Sequence, residues 1–262
     1  MKVTERKVYD PVSHCIYCGS TDNLTDEHIV PFGLGGAWVL PESSCPKCQK
    51  ITCKVEDACL RKMLKRTRIQ RGLPTRRKTK RRAERVRAKV VTKKGAHVVD
   101  VPYGNAPKIL VMMTFLPPDI LLGLPPQTGN VVHIGHWAKT DLGQWAKRHG
   151  VREARSRVPL HPLFFARMLA KIAHSFAIAK LGAGTFQPLL PDLILGQPDW
   201  LFTYVIGGEL ATVPATDNLH ELSLGRHEVA EDSYWVARIR LFADEGAPVY
   251  NVVVGPPNPI SP

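Results

Sequence analysis

The first quarter of the chain has a hydrophobic pattern that predicts a hairpin followed by a helix. Residues 24–31 and 37–40 have the pattern of two short strands, and the three glycines within residues 33–36 predict a flexible turn between them. A proline in the first turn, Pro46, favours the start of a helix. We expect this helix to continue past residue 64 and to end near residues 72–74.

The second half of the chain predicts a mixed α and β region. Its long apolar helix spans residues 162–181 and ends at Gly182. The other predicted elements are a short helix over 140–149 and strands over 97–101, 108–116, 200–206, 234–242 and 249–254. The predicted fold class is α+β, with an antiparallel sheet packed on one buried helix. A polar stripe on this helix could contact phosphate or pair with acids of its own region: Arg167, Lys171, His174 and Ser175.

The spacing of the cysteines predicts a metal site. Two Cys-x-x-Cys pairs lie about thirty residues apart, a pattern typical of one tetrahedral zinc site. The four predicted ligands are Cys15, Cys18, Cys45 and Cys48. Two further cysteines follow on the predicted helix, and we expect Cys59 to pack in the core. Cys53 could be a spare ligand, but a packing or bystander role is the expectation.

The motifs CxxC, LTDEHIVPFGLGG and CPKCQK together resemble HNH endonucleases of the ββα-metal superfamily, in the subgroup with a four-cysteine zinc knuckle. The similarity covers residues 15 to about 60. It implies hydrolysis of DNA phosphodiester bonds, with His28 as the general base that activates water. It also implies that Glu27 and Gln49 hold a catalytic divalent cation, Mg²⁺ or Mn²⁺, beside the structural Zn²⁺.

One position departs from this family pattern. Gln49 stands where the family usually has Asn or His, and the middle Asn of the HNH name is not evident. A non-catalytic zinc-knuckle protein that binds nucleic acid is therefore the alternative to the endonuclease. A zinc-stapled protein-interaction domain is a third interpretation, and it predicts negligible affinity for polyanions.

The distribution of charge supports a nucleic-acid partner. The net charge is +13, and residues 61–94 contain 17 Lys and Arg against one acid, Glu84. Such a block is typical of a segment that binds phosphate backbones, although a solvated linker has the same composition. The pattern does not distinguish DNA from RNA. The predicted contacts are Lys65, Arg66, Arg68, Arg71, Arg76, Arg77, Lys78, Lys80, Arg81 and Arg82.

These observations predict three regions. Residues 1–72 form the HNH-type zinc-knuckle domain, residues 73–95 a basic linker or arm, and residues 96–262 a C-terminal α+β domain. Within the basic region, we expect residues 76–94 to be a second basic helix or a flexible arm. The charged N-terminus and the charges within residues 162–181 predict a cytoplasmic protein without a membrane span. A cut through both DNA strands would require a homodimer.

Overall fold

A short sheet and a helix form the N-terminal part of the chain, as the hydrophobic pattern predicts. The computed structural model describes residues 5–75, 85–127, 132–197, 202–209 and 211–259. The first strands are β1 (Lys7–Val8), β2 (Thr25–His28) and β3 (Trp38–Ser44), in the order β1-β3-β2. Strands β2 and β3 pair antiparallel, so they form the predicted hairpin.

The turn of this hairpin depends on Gly36. A Cβ atom at this position would lie 1.8 Å from the carbonyl oxygen of Val30, so no larger residue fits without moving the backbone. A 3-10 turn (Phe32–Leu34) precedes this glycine. The hairpin is therefore closed by tight backbone contact, not by a loose loop.

The predicted helix after the hairpin is present but is not continuous. It consists of α1 (Pro46–Ala58), a π-helical turn (Cys59–Met63) and α2 (Lys65–Gln70). The chain turns away at Gly72, within the expected range.

The basic region holds a strand, which corrects the prediction of a helix or flexible arm over 76–94. Strand β4 (Arg85–Thr92) pairs antiparallel with β5 (Gly95–Pro102) through a tight turn. The physical reason is a period-two pattern in which basic residues alternate with valines and alanine, a pattern hidden by the high charge. The rest of this stretch, residues 76–84, lies outside the described part of the chain.

The third strand of this sheet comes from further along the chain. Strand β8 (Val151–Arg155) pairs with the other edge of β4, giving the order β5-β4-β8. A separate two-stranded sheet contains β6 (Ile109–Phe115) and β7 (Val132–Ala138). The predicted short helix is present as α3 (Leu142–Arg148), and its N-terminus is capped by the Asp141 carboxylate.

A four-stranded antiparallel sheet and one buried helix form the centre of the C-terminal half. The helix α4 (Pro162–Leu181) has the bounds that the sequence predicts. The sheet order is β10-β11-β12-β9, with strands β9 (Ile206–Gly208), β10 (His220–Val229), β11 (Asp232–Leu241) and β12 (Tyr250–Gly255). The α+β class with antiparallel sheets is therefore confirmed. Two short helices complete the fold: α5 (Pro191–Leu195) and α6 (Phe202–Val205).

The predicted strand over 200–206 is wrong for most of its length. Residues 202–205 form the helical turn α6, and the strand β9 begins only at Ile206. Phe202 and Val205 are both buried, and one helical turn places residues three apart on the same face. Tertiary packing thus overrides the β propensity of this aromatic and β-branched segment.

Helix α4 joins the two halves of the molecule through the core. It packs against α1, α5, β11 and β12. The buried hydrophobic side chains form one connected cluster, whose members come from both halves of the chain, from Cys15 to Val254. By length and composition α4 is apolar enough to cross a membrane, but 78% of its apolar window is buried inside this fold. The helix therefore acts here as a core element.

A buried histidine fixes the hairpin turn to the C-terminal sheet. The Nε2 atom of His220 donates to the carbonyl oxygen of Leu34 at 2.8 Å, and its Nδ1 atom accepts from the backbone N–H of Phe242 at 3.2 Å. Both roles require a neutral ring. The pKa of His220 is lowered to about 4, mainly by burial and in smaller part by the charge of Arg71. The hydrogen bond to Leu34 and the charge of Asp244 act in the opposite direction and raise it.

This lowered pKa predicts acid sensitivity. Above pH 6.5 the imidazole is neutral whether the chain is folded or unfolded; as pH falls toward 4, only the unfolded chain gains the proton, so stability decreases. We expect His220→Asn to lose about 2 kcal/mol less stability between pH 7 and pH 5 than the wild type. Urea unfolding at both pH values measures this, with the exposed His227→Asn as control. Equal pH dependence in His220→Asn and wild type would contradict a buried neutral ring.

Candidate metal centre and adjoining acidic cluster

The four predicted cysteines converge at the start of α1. Cys15 and Cys18 lie on a tight turn, Cys45 directly precedes α1, and Cys48 lies in the first turn of that helix. The four Sγ atoms lie within 4.8 Å of one another, and those of Cys18 and Cys45 are 3.6 Å apart. Two separate segments of the chain therefore point their sulfur atoms at one place.

This arrangement fits a structural metal such as zinc. Tetrahedral zinc with Zn–S bonds of about 2.3 Å separates its sulfur ligands by about 3.8 Å, close to the spacing found here. Burial opposes ionisation of Cys45, yet hydrogen bonds from the Cys48 backbone and from neighbouring thiols lower its pKa to about 7. A bound zinc would cross-link the Cys15–Cys18 turn to the helix. Among the described residues, these cysteines are the one group of three or more His, Cys, Asp and Glu ligands close enough to share an ion.

The other two cysteines lie outside this group, as predicted. Cys59 is buried in the core, and burial raises the pKa of its thiol to about 12. Cys53 is exposed on α1, and burial of its sulfur together with nearby Glu56 raises its pKa.

Glu27, the predicted ligand for a catalytic cation, is closed in by protein groups. Its side chain is turned inward from β2, and the residue is only 8% exposed. One carboxylate oxygen lies 2.7 Å from the Nζ atom of Lys171 on α4, and the other accepts a hydrogen bond from the Tyr17 hydroxyl at 3.1 Å. Both oxygens are thus already engaged.

Lys171 is the centre of this acidic cluster. Its ammonium also contacts the Glu56 carboxylate at 2.9 Å and donates to the backbone carbonyl of His28, so its three N–H groups have three oxygen partners. The residue is 1% exposed. Burial alone would lower the pKa of Lys171, but Glu27 and Glu56 outweigh it and hold the pKa above its ordinary value. The ammonium is therefore a permanent positive charge in the interior.

The carboxylate of Glu56 is the second acidic partner of this cation. Burial raises the pKa of Glu56; Lys171 opposes this, whereas the negative charge of Glu27 adds to it. This follows because a single ammonium cannot fully neutralise two buried carboxylates. Glu56 lies in the last turn of α1, so the cluster ties that end of the helix to β2 and α4.

His28, the predicted general base, lies at the end of β2 and is partly exposed. Its ring packs edge-on against Phe32, with centroids 5.6 Å apart. It lies near enough to Glu56 for its charge to favour ionisation of that carboxylate. The structure thus places His28 at the rim of the acidic cluster, while Glu27 lies inside it.

Gln49, the second predicted cation ligand, has a different partner. Its side-chain amide donates to the Thr25 hydroxyl at 2.9 Å, which links α1 to the start of β2. Glu27 and Gln49 are therefore held by separate contacts. As arranged, Glu27 does not fit the divalent cation that the resemblance implies, because Lys171 and Tyr17 hold its two oxygens.

Three of the basic residues predicted to contact nucleic acid make intramolecular contacts. Arg66 donates to the Pro107 carbonyl, and Arg68 donates to the carbonyl of Gly33 at 2.6 Å and to those of two other residues. Arg71 forms ion pairs with two acids of the C-terminal half. These side chains hold α2 in place. Arg76, Arg77, Lys78, Lys80, Arg81 and Arg82 lie outside the described residues, and Lys65 is partly buried.

Sequence reasoning missed Glu56, Tyr17 and the pairing of Lys171. The one available signal was the polar stripe on α4, for which two roles were open. Lys171 pairs with acids, but these belong to the N-terminal part of the chain and not to its own region. The buried His174 of the same stripe contacts the Ile16 carbonyl at 2.7 Å.

The first prediction for this site concerns the metal. We expect purified protein to contain one zinc per chain and Cys48→Ser to lose it, because three ligands hold zinc less tightly than four. The melting temperature of Cys48→Ser should fall by on the order of 10 °C, or about 3 kcal/mol in a chain of this size. Elemental analysis and calorimetry measure both quantities. Cys53→Ser is the matched control, and a similar zinc loss in that variant would contradict the four-ligand assignment.

The second prediction concerns the buried ammonium. Lys171→Met leaves Glu27 and Glu56 without their cation, and we expect it to lower the free energy of unfolding by about 3–5 kcal/mol at pH 7.5. Adding Glu27→Gln and Glu56→Gln to Lys171→Met should restore much of this loss, because no unpaired buried charge remains. Urea unfolding of the single and triple variants measures the difference. If the triple variant were no more stable than Lys171→Met, unpaired charge would not be the cause.

Comparison with known proteins gives no family for this chain. No family model matches it, no curated protein matches it, and no solved structure matches it. The resemblance to HNH nucleases thus rests on the motif residues alone. The structure itself shows a mixed α and β fold with four cysteines placed to hold a metal.

Proposed function

We propose that the protein is an HNH-type zinc-knuckle protein that binds nucleic acid through its basic 61–94 segment and does not cleave it by a divalent-metal mechanism. The HNH-type assignment is supported by the motif residues together with the order β2, β3, α1 and the cysteines at the start of the helix. The observation that favours binding over cleavage is that both carboxylate oxygens of Glu27 already have protein partners. Its two oxygens are taken by Lys171 and Tyr17.

The electrostatic support for a polyanionic partner lies in the 61–94 segment. Arg66, Arg68 and Arg71 are used within the fold, but the strand β4 exposes Arg85, Arg87 and Lys89 to solvent. The exposed Arg85 also donates to the backbone carbonyl of Asp100 at 2.7 Å. Exposed Lys and Arg bind phosphate backbones by releasing condensed counterions, with little dependence on sequence. Binding of this kind needs neither a catalytic base nor a second metal.

An HNH-type DNA endonuclease is the second candidate, favoured by the position of His28. This imidazole is partly exposed at the end of β2 and lies near the Glu56 carboxylate. In this candidate it would accept a proton from water; the hydroxide oxygen would bond to phosphorus as the bond to the leaving sugar oxygen breaks. The resemblance implies that Mg²⁺ or Mn²⁺ would neutralise the charge that develops on the phosphate.

A plasmid assay separates the two candidates. Wild type and His28→Ala are each incubated with supercoiled plasmid and Mg²⁺ or Mn²⁺, and nicking and binding are measured on the same samples. We expect both proteins to bind equally and to produce no nicking above a protein-free control.

Two outcomes would contradict this proposal. Metal-dependent nicking by wild type that disappears in His28→Ala, with binding retained, would establish the endonuclease instead. Absence of salt-sensitive binding in either protein would reject both candidates and favour a protein-interaction domain.

A further inference from the structure

The sheet β5-β4-β8 places basic side chains on one face. Successive residues of a strand point to opposite faces, so Arg85, Arg87 and Lys89 of β4 share one side, and Val86, Ala88 and Val90 share the other. The three basic residues are exposed, and Val90 is buried. Strand β4 therefore has an apolar side and a charged side.

A fourth basic residue reaches this face from a distant part of the sequence. Lys89 of β4 lies directly opposite Arg155 of β8, so their side chains stand on the same side of the sheet. Directly opposed like charges disfavour strand pairing, so this pair gives the fold no benefit of its own. The turn that joins β4 to β5 adds two further exposed lysines, Lys93 and Lys94, at the end of the sheet.

Two acidic residues moderate the charge of this face. Asp100 of β5 lies opposite Arg87, and Glu153 of β8 pairs with Arg155 next to it. Four basic residues face these two acids, so the strands keep an excess of positive charge. Neutralising either acid by substitution would increase the net positive charge of the face.

The composition and spacing of the face select the kind of partner. The three strands contain no Phe, Tyr or Trp, so they offer no platform on which single-stranded bases could stack. Alternate residues of a strand are about 6.7 Å apart, and successive phosphates of one B-DNA strand advance by about 3.4 Å along the helix axis. Basic side chains along β4 are therefore spaced at about twice the axial step of a duplex backbone, which allows them to contact every second phosphate.

We propose that this face, defined by Arg85, Arg87, Lys89 and Arg155, binds the phosphate backbone of duplex DNA. The proposal rests on the nucleic-acid binding proposed above and names the surface that performs it. It adds Arg155, which lies outside the basic 61–94 segment, and it gives the described part of that segment a fixed geometry.

The test compares two triple variants that lose the same charge. Arg87→Gln/Lys89→Gln/Arg155→Gln changes the sheet face, whereas the control Lys50→Gln/Lys54→Gln/Lys180→Gln removes exposed charges from other elements. Binding to a 20-base-pair duplex of mixed sequence is measured over a range of NaCl concentrations. We expect the sheet variant to bind at least about tenfold more weakly, with a salt slope reduced by about 2–3, and the control to change about threefold or less.

A gain of affinity provides an independent readout. Glu153→Gln removes a negative charge from the face and frees Arg155, so it should bind the duplex about two- to threefold more tightly than wild type. All variants should keep the wild-type melting temperature, because the changed side chains are exposed.

The outcomes distinguish the surface from the function. If wild type binds and the two triple variants lose affinity equally, this face is not the binding surface, although nucleic-acid binding stands. If wild type does not bind duplex DNA at all, the proposed function fails as well. Tighter binding to duplex RNA of the same sequence would overturn the choice of DNA.

Discussion

One buried ammonium ties the N-terminal hairpin and helix α1 to the central helix of the protein. Lys171 brings a positive charge from the central helix α4 to Glu27 on β2, Glu56 on α1 and the backbone of His28. A charge this deeply buried is tolerated only when it is paired and hydrogen-bonded, and here each N–H has an oxygen partner. The contact fixes which face of β2 points inward, and hence leaves His28 at the rim and Glu27 inside.

The sulfur cluster and the ammonium act at opposite ends of α1. Cys45 and Cys48 lie at its start and Glu56 in its last turn, about 12 Å further along the axis. Each end is therefore anchored by a different kind of interaction, and the hairpin that packs on the helix has little freedom to shift. The π-helical turn follows directly after the second anchor, so the departure from regular helix begins where α1 is no longer held.

Local patterns were sufficient for the hairpin, for α1, α3 and α4, for several strands and for the cysteine centre, whereas β7, β8 and β10 had no predicted counterpart. The α4 helix has the predicted bounds because an apolar run between Pro162 and Gly182 carries its own start and stop signals. The cysteine group was predictable because each pair is a short motif. Strand β4 was missed because its charge hid the alternation, and Phe202–Val205 because packing overrode propensity. The partner of Glu27 was not predictable, because no local pattern states which helix packs on β2.

The distance along the chain between β2 and α4 affects how the protein emerges from the ribosome. His28 and Lys171 are 143 residues apart, so Glu27 and Glu56 are synthesised long before their cation. At ordinary translation speeds this interval is about 7–30 s. During it, Cys15, Cys18, Cys45 and Cys48 are already present, so metal capture is available to the nascent hairpin before the ammonium is. Zinc supply during translation would then govern the yield of correctly folded chains, before any later contact can form.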